Sequence, residues 1–365
     1  MINYALRVIL STIFVAVSFC AWPALSAQAD SRVNEWPLDA QHLRAERTWK
    51  ESQGAGVIVA VVDSGCDGRH PDLVGQLVPG AGFIGVPGDD GRVDDSGDSH
   101  GTSIAAIIAG TGRNPAGNGI VGLAPKAKIL SVRISADARI EPVALAKGII
   151  YAADRGARII NVSAVTPEPD PNIRAAVEHA ERRGAVVVAA AGNTAQTGSS
   201  VGYPASFPGV VAVSAVDADK RFWNGSASGP QVVLAAPGVD IRSANDQGGY
   251  QHGDGTSLAV PYVTAAAALL WSKYPNLTAG QVIRQLVDTA DSGHSGQRDD
   301  QIGFGVVDPL RALTEPMTSG SGLPAAGMEP GSGIAWWWYA GGVGFAISVL
   351  VSIGAVMQRR RSAGN

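Results

Sequence analysis

The sequence predicts an α/β protein, a mostly parallel sheet with helices on both faces, and two observations carry that expectation. Apolar runs rich in β-branched residues fall at 57–62, 128–132, 158–162, 185–190, 210–215 and 231–235. Each is continuous rather than alternating, as strands buried on both faces are. Helical patterns lie between and after them, at 100–109, 141–155, 171–183, 257–273 and 278–290. Strands alternating with helices at this spacing build a parallel sheet, and a chain of 365 residues leaves room for one core of roughly 250–300 residues plus terminal appendages. In such sheets ligands and chemistry gather at the carboxyl ends of the strands.

The appendages read from the two ends. Residues 1–29 carry one early cation, Arg7, then an apolar run from 8 to 22, then Ala27-Gln28-Ala29. This is the pattern of a secretory signal peptide cleaved after Ala29. Residues 30–53 form a short N-terminal extension, 54–313 the folded domain, and 314–333 a Gly-, Ser- and Pro-rich linker of tether-like composition. Residues 334–357 contain no charge, begin near Trp336-Trp337-Trp338-Tyr339 and precede Arg359-Arg360-Arg361. An apolar stretch of that length crosses a bilayer as one C-terminal transmembrane helix, with the cationic tail 358–365 in the cytoplasm. The expectation is a single-pass type I protein of the cell membrane, with the domain outside.

Removal of the leader leaves Cys66 as the one cysteine, so no internal disulfide is expected and the residue reads as a small buried hydrophobe. Net charge is only −4, and no basic stripe occurs before the C-terminus, which excludes a nucleic-acid partner. Asp89, Asp90, Asp94, Asp95 and Asp98 lack the ligand spacing of a calcium loop and read as a solvated turn.

Four short motifs carry chemistry. Asp63-Ser64-Gly65 follows the first apolar run, placing a carboxylate where a buried strand turns. Asp98-Ser99-His100-Gly101-Thr102-Ser103 opens a helix of small residues able to approach the sheet closely. His70, followed by Pro71, reads as structural. Ala189-Ala190-Ala191-Gly192-Asn193 ends another strand with an amide that can donate to an oxyanion. Gly255-Thr256-Ser257-Leu258-Ala259-Val260-Pro261 puts a hydroxyl at a helix N-terminus, where free N–H groups favour developing negative charge. Pro261 is tolerated if it falls in about the first turn. Singly, each motif has a commoner structural reading as a turn or a cap.

Together, in this order, the four resemble the subtilisin family of serine peptidases over approximately residues 54–313. The resemblance implies a mostly parallel seven-stranded sheet and hydrolysis of protein or peptide substrates through an acyl-enzyme, without metal or cofactor. It assigns Asp63, His100 and Ser257 to a catalytic triad and Asn193 to the oxyanion hole. Asn161-Val162-Ser163-Ala164-Val165 is similar to the strand lining the subtilisin cleft, which makes Ser163 and Val165 substrate-binding candidates. Subtilisins generally carry Gly where Val165 falls, so a narrower cleft and a small P1 side chain are expected.

A narrower resemblance rests on Trp36-Pro37-Leu38-Asp39-Ala40, on Gly303-Phe304-Gly305-Val306-Val307-Asp308-Pro309, on the short extension and on the C-terminal anchor. These look like the mycosins, subtilisin-type peptidases associated with type VII secretion in actinobacteria. The lone mature cysteine departs from the disulfides that mycosins usually carry. The resemblance leaves open a general surface peptidase, or a structural subunit stabilising a membrane secretion complex.

Overall fold

The computed structural model describes residues 35–317 except 86, 138 and 294–296. The expected leader, transmembrane helix, cytoplasmic tail and nearly all of the linker lie outside the described residues. Among the described residues, no helix is long and apolar enough to cross a membrane.

In chain order the strands are β1 (Ile58–Asp63), β2 (Leu77–Gly82), β3 (Lys128–Arg133), β4 (Ile159–Val162), β5 (Val186–Ala190), β6 (Val211–Val216), β7 (Val232–Pro237), β8 (Ile241–Ala244) and β9 (Tyr250–Gly253). The helices are α1 (Ala45–Glu51), α2 (His100–Ala109), α3 (Pro142–Asp154), α4 (Pro171–Arg182), the single turn α5 (Thr194–Thr197), α6 (Thr256–Lys273), α7 (Ala279–Asp288) and α8 (Pro309–Thr314). Seven strands form one sheet in the order β2-β3-β1-β4-β5-β6-β7, and every pairing is parallel.

Alternation along β1 explains the layering. Val59 and Val61 pack with Ile104 and Ile108 of α2 and Leu269 of α6. Ala60 and Val62 pack with Leu145 and Ile149 of α3 and Ile173 and Val177 of α4. Successive residues of a strand point to opposite faces, so a strand buried on both is apolar along nearly its whole length. The helix α6 is buried along almost its whole length, as a helix apolar all round must be.

Among the strands, two features depart from the sequence expectation. The six apolar runs become β1 and β3–β7, but the seventh strand, β2, reads Leu-Val-Pro-Gly-Ala-Gly and has no apolar run. It is an edge strand, paired only with β3, with a register shift between Val78 and Ala81. An edge tolerates Pro79, whose missing N–H would break a central ladder. The antiparallel hairpin β8–β9 was likewise not expected, because its strands are four residues each and partly polar.

The segment after residue 35 packs on the domain. Leu38, Leu43 and Ala45 join the core on the α6 side of the sheet. Trp36 Nε1 donates to Val239 O at 3.1 Å, and Trp49 Nε1 to Leu123 O at 2.9 Å. Arg44 pairs with Asp308.

Candidate active site

β1 delivers Asp63 to the carboxyl edge of the sheet, only 3 % exposed. Its Oδ1 accepts the Ser64 N–H at 2.8 Å and lies 2.7 Å from His100 Nδ1. A carboxylate can only accept, so Nδ1 carries a proton, and whenever the ring is neutral Nε2 is its acceptor.

His100 is the first residue of α2, and the helix start is anchored on three sides. A Cβ at Gly101 would sit 1.9 Å from Gly65 O, so only glycine permits this approach of helix to strand end. Ser99, held in the left-handed region at φ 57°, donates its hydroxyl to Asp246 in the β8–β9 turn at 2.7 Å. Ser103 Oγ donates to Ala244 O at 2.8 Å. Burial works against a charged imidazolium, but Asp63, with Asp98 and Asp94 adding, outweighs it and pushes the His100 pKa up to about 9.

Within the acidic loop, Asp94 corrects the reading of a solvated turn, for it is buried at 4 % exposure. Its two oxygens accept from Ser64 Oγ at 3.0 Å, Ser96 Oγ at 2.7 Å, Thr102 N at 2.9 Å and Thr102 Oγ1 at 2.7 Å. Ser64 Oγ also receives the Gly101 N–H at 2.9 Å. Asp94 therefore ties the end of β1 to the first turn of α2, on either side of the Asp63–His100 pair. Arg133 clamps the same loop through Asp89 and Asp95. No group of three or more His, Cys, Asp or Glu among the described residues is placed to hold a metal ion.

Ser257 is the second residue of α6, which begins one residue before the expected start. Asn193 follows β5 and turns its side chain towards the same helix. Its Oδ1 accepts from both Thr256 N and Thr256 Oγ1 at 3.0 Å. Thr256 N–H is an obligate donor, so oxygen must face it and Nδ2 must face the other way. A Cβ built on Gly255 would lie 3.1 Å from Ser257 Oγ and 3.6 Å from Asn193 Nδ2. The bare glycine leaves open the space that these two atoms share.

An open cleft of about 600 Å³ gathers Asp63, His100, Ser163, Val165, Asn193 and Ser257, every candidate named from the sequence. His100 and Ser257 meet there as lining residues, without a hydrogen bond between their side chains. Ser163 differs from its expected role in one respect. Its hydroxyl does not face the cleft freely, because it donates to Ser257 O at 2.9 Å and accepts from Asn161 Nδ2 at 2.9 Å. From the sequence, Asp94 and Asn161 carried no role at the site; a buried-strand Asn two residues before Ser163 was the one signal available.

Cys66 is fully buried under α2 with its thiol near Gly101 O, and burial pushes its pKa well up. His70 is buried too, with Nε2 donating to Gly249 O and Nδ1 accepting from Asp72 N. Both are structural, as expected.

The subtilase family profile matches residues 54–305. Thermitase from Thermoactinomyces vulgaris is 36 % identical over 252 residues, covering 69 % of this chain and 87 % of that protein. Fervidolysin from Fervidobacterium pennivorans is 34 % identical over 319 residues, and there the match covers 79 % of this chain but only 45 % of the relative's length. Among solved structures, MycP1, described as a serine protease and an essential component of the type VII (ESX-1) secretion system, superposes with a TM-score of 0.67 at 32 % identity, covering 78 % of this chain and 89 % of MycP1.

Proposed function

The chain belongs to the subtilase family of serine endopeptidases, and from that premise we propose that it cleaves exported proteins outside the cell membrane, with Ser257 as nucleophile. His100 Nε2 takes the Ser257 proton and returns it to the leaving amine, while Asp63 holds the imidazole tautomer and stabilises the imidazolium. Asn193 Nδ2 and the Ser257 N–H stabilise the oxyanion, one such donor being worth about 3–4 kcal/mol. The observation that carries this reading is the 2.7 Å bond from His100 Nδ1 to Asp63 Oδ1, made in a cleft that also holds Ser257 and Asn193. Hydrogen bonds to the nucleophile often tighten only when substrate is bound.

The leader and the 334–357 span would export the domain and tether it to the membrane. The likeness to MycP1 supports a place beside a type VII secretion system, where the same fold would also serve as a structural subunit.

Three measurements test these statements. A fluorophosphonate should label the protein, and Ser257→Ala should abolish labelling; a label that persists there overturns the nucleophile. Fractionation should find the full chain with membranes, its mature N-terminus near Asp30. Ser257→Ala should leave export running while uncleaved substrates accumulate, whereas deletion of the gene should impair export itself.

A further inference from the structure

Pro261 lies in the second turn of α6, deeper than the first-turn position expected from the sequence. In a regular helix the N–H of residue 261 would donate to the carbonyl of Ser257, and proline has none. Ser163 Oγ supplies the missing donor, from β4's end of the cleft, at 2.9 Å. This hydroxyl is itself held in place. Asn161 Nδ2 donates to it at 2.9 Å, and Thr264 Oγ1 donates to Asn161 Oδ1 at 3.0 Å. Asn161 and Thr264 are fully buried and Ser163 is 6 % exposed. Three hydrogen bonds therefore run from α6 to β4 and back to α6, closing on the backbone of Ser257.

We infer that Ser163 and Asn161 are positioning residues for Ser257, substituting a side-chain donor for the backbone donor that Pro261 removes; the inference rests on the reading of Ser257 as nucleophile. A serine hydroxyl has one proton and two lone pairs. Here the proton goes to Ser257 O and one lone pair to Asn161, so the hydroxyl has no proton left for a substrate. Anchoring the carbonyl fixes the peptide plane that follows Ser257, and with it the backbone of the residue from which Oγ projects. A free first turn would let that plane rock, and small misplacements of a nucleophile are costly to rate.

A double-mutant cycle on the full-length protein separates this role from substrate binding. Fluorophosphonate labelling rate, kcat and KM for a peptide are measured for Ser163→Ala and Pro261→Ala, singly and combined. With Pro261 present, Ser163→Ala should slow labelling and kcat about tenfold with KM nearly unchanged, the scale of an orphaned buried carbonyl. In the Pro261→Ala background a backbone N–H returns to the same carbonyl, and Ser163→Ala should then cost less than about twofold. Ser163→Thr, which keeps the hydroxyl, should stay close to the parent. Equal losses in both backgrounds, or a loss confined to KM, would overturn the inference. Should Ser163→Ala not fold, Ser163→Cys carries the same cycle, since it preserves the shape and weakens the donor. Labelling that survives Ser257→Ala would instead overturn the nucleophile assignment, whatever the cycle shows.

Discussion

Asp94 binds Thr102 twice, taking its backbone N–H at 2.9 Å and its hydroxyl at 2.7 Å, and so pins the helix that begins with His100. Replacing Asp94 by Asn would keep an oxygen for the Thr102 N–H, an obligate donor, but would turn the amide N–H₂ towards the Ser64 and Ser96 hydroxyls, which donate to Asp94. A buried donor left facing a donor costs about 1–3 kcal/mol. Asp94→Asn should therefore lower the unfolding free energy by that order and slow peptide hydrolysis as the Asp63–His100 pair loosens. Denaturant titration and steady-state kinetics check both halves. An unchanged midpoint would mean that the loop tolerates the amide.

Asn193 makes two bonds through Oδ1 to Thr256, which leaves Nδ2 as the group able to meet an oxyanion. Asn193→Ala should lower kcat by about 10²–10³-fold with little change in KM, because the donor acts on the transition state. Asn193→Asp, which keeps the Oδ1 contacts but offers no donor, should lose a similar factor. A loss confined to KM would make Asn193 a substrate-binding group.

Gly255 is extended rather than left-handed, with φ 164°, so its need for glycine is spatial. Gly255→Ala would set a methyl beside Ser257 Oγ and Asn193 Nδ2. Activity should fall by about 10²-fold, the scale of an ångström-sized misplacement in an active site, while the midpoint of thermal unfolding changes little. A large fall in stability with activity intact would contradict this.

The raised His100 pKa, about 9, sets the pH dependence. The general base works only as the neutral ring, so kcat/KM should rise with pH along an acid limb well above the ordinary histidine value of about 6.5. Asp63→Asn should shift that limb down. Stability runs in the opposite sense. The folded pKa exceeds the unfolded one, so the charged pair stabilises the fold fully below about pH 6.5 and is lost as pH rises through about 9. Thermal melts of wild type and Asp63→Asn should therefore differ more at pH 6 than at pH 10.

The strands and major helices were legible because their signals are local. Burial on both faces leaves a mark in every residue of β1, and small residues mark α2. The same holds for residue type at the site: an acid at a strand end, a histidine and a serine at helix starts, an amide after a strand. β2 left no such mark, since an edge strand needs neither apolar runs nor a complete ladder, and the short β8–β9 hairpin is held by contacts to α2. Partnership was decided only by the tertiary structure. Ser163 and Ser257 are 94 positions apart, Asn193 and Thr256 are 63 apart, and which donor meets which acceptor follows from placing β4 and β5 side by side beneath α6. A hydroxyl that reads as a substrate contact in the chain thereby becomes, in the fold, the donor for a carbonyl that a proline left unserved.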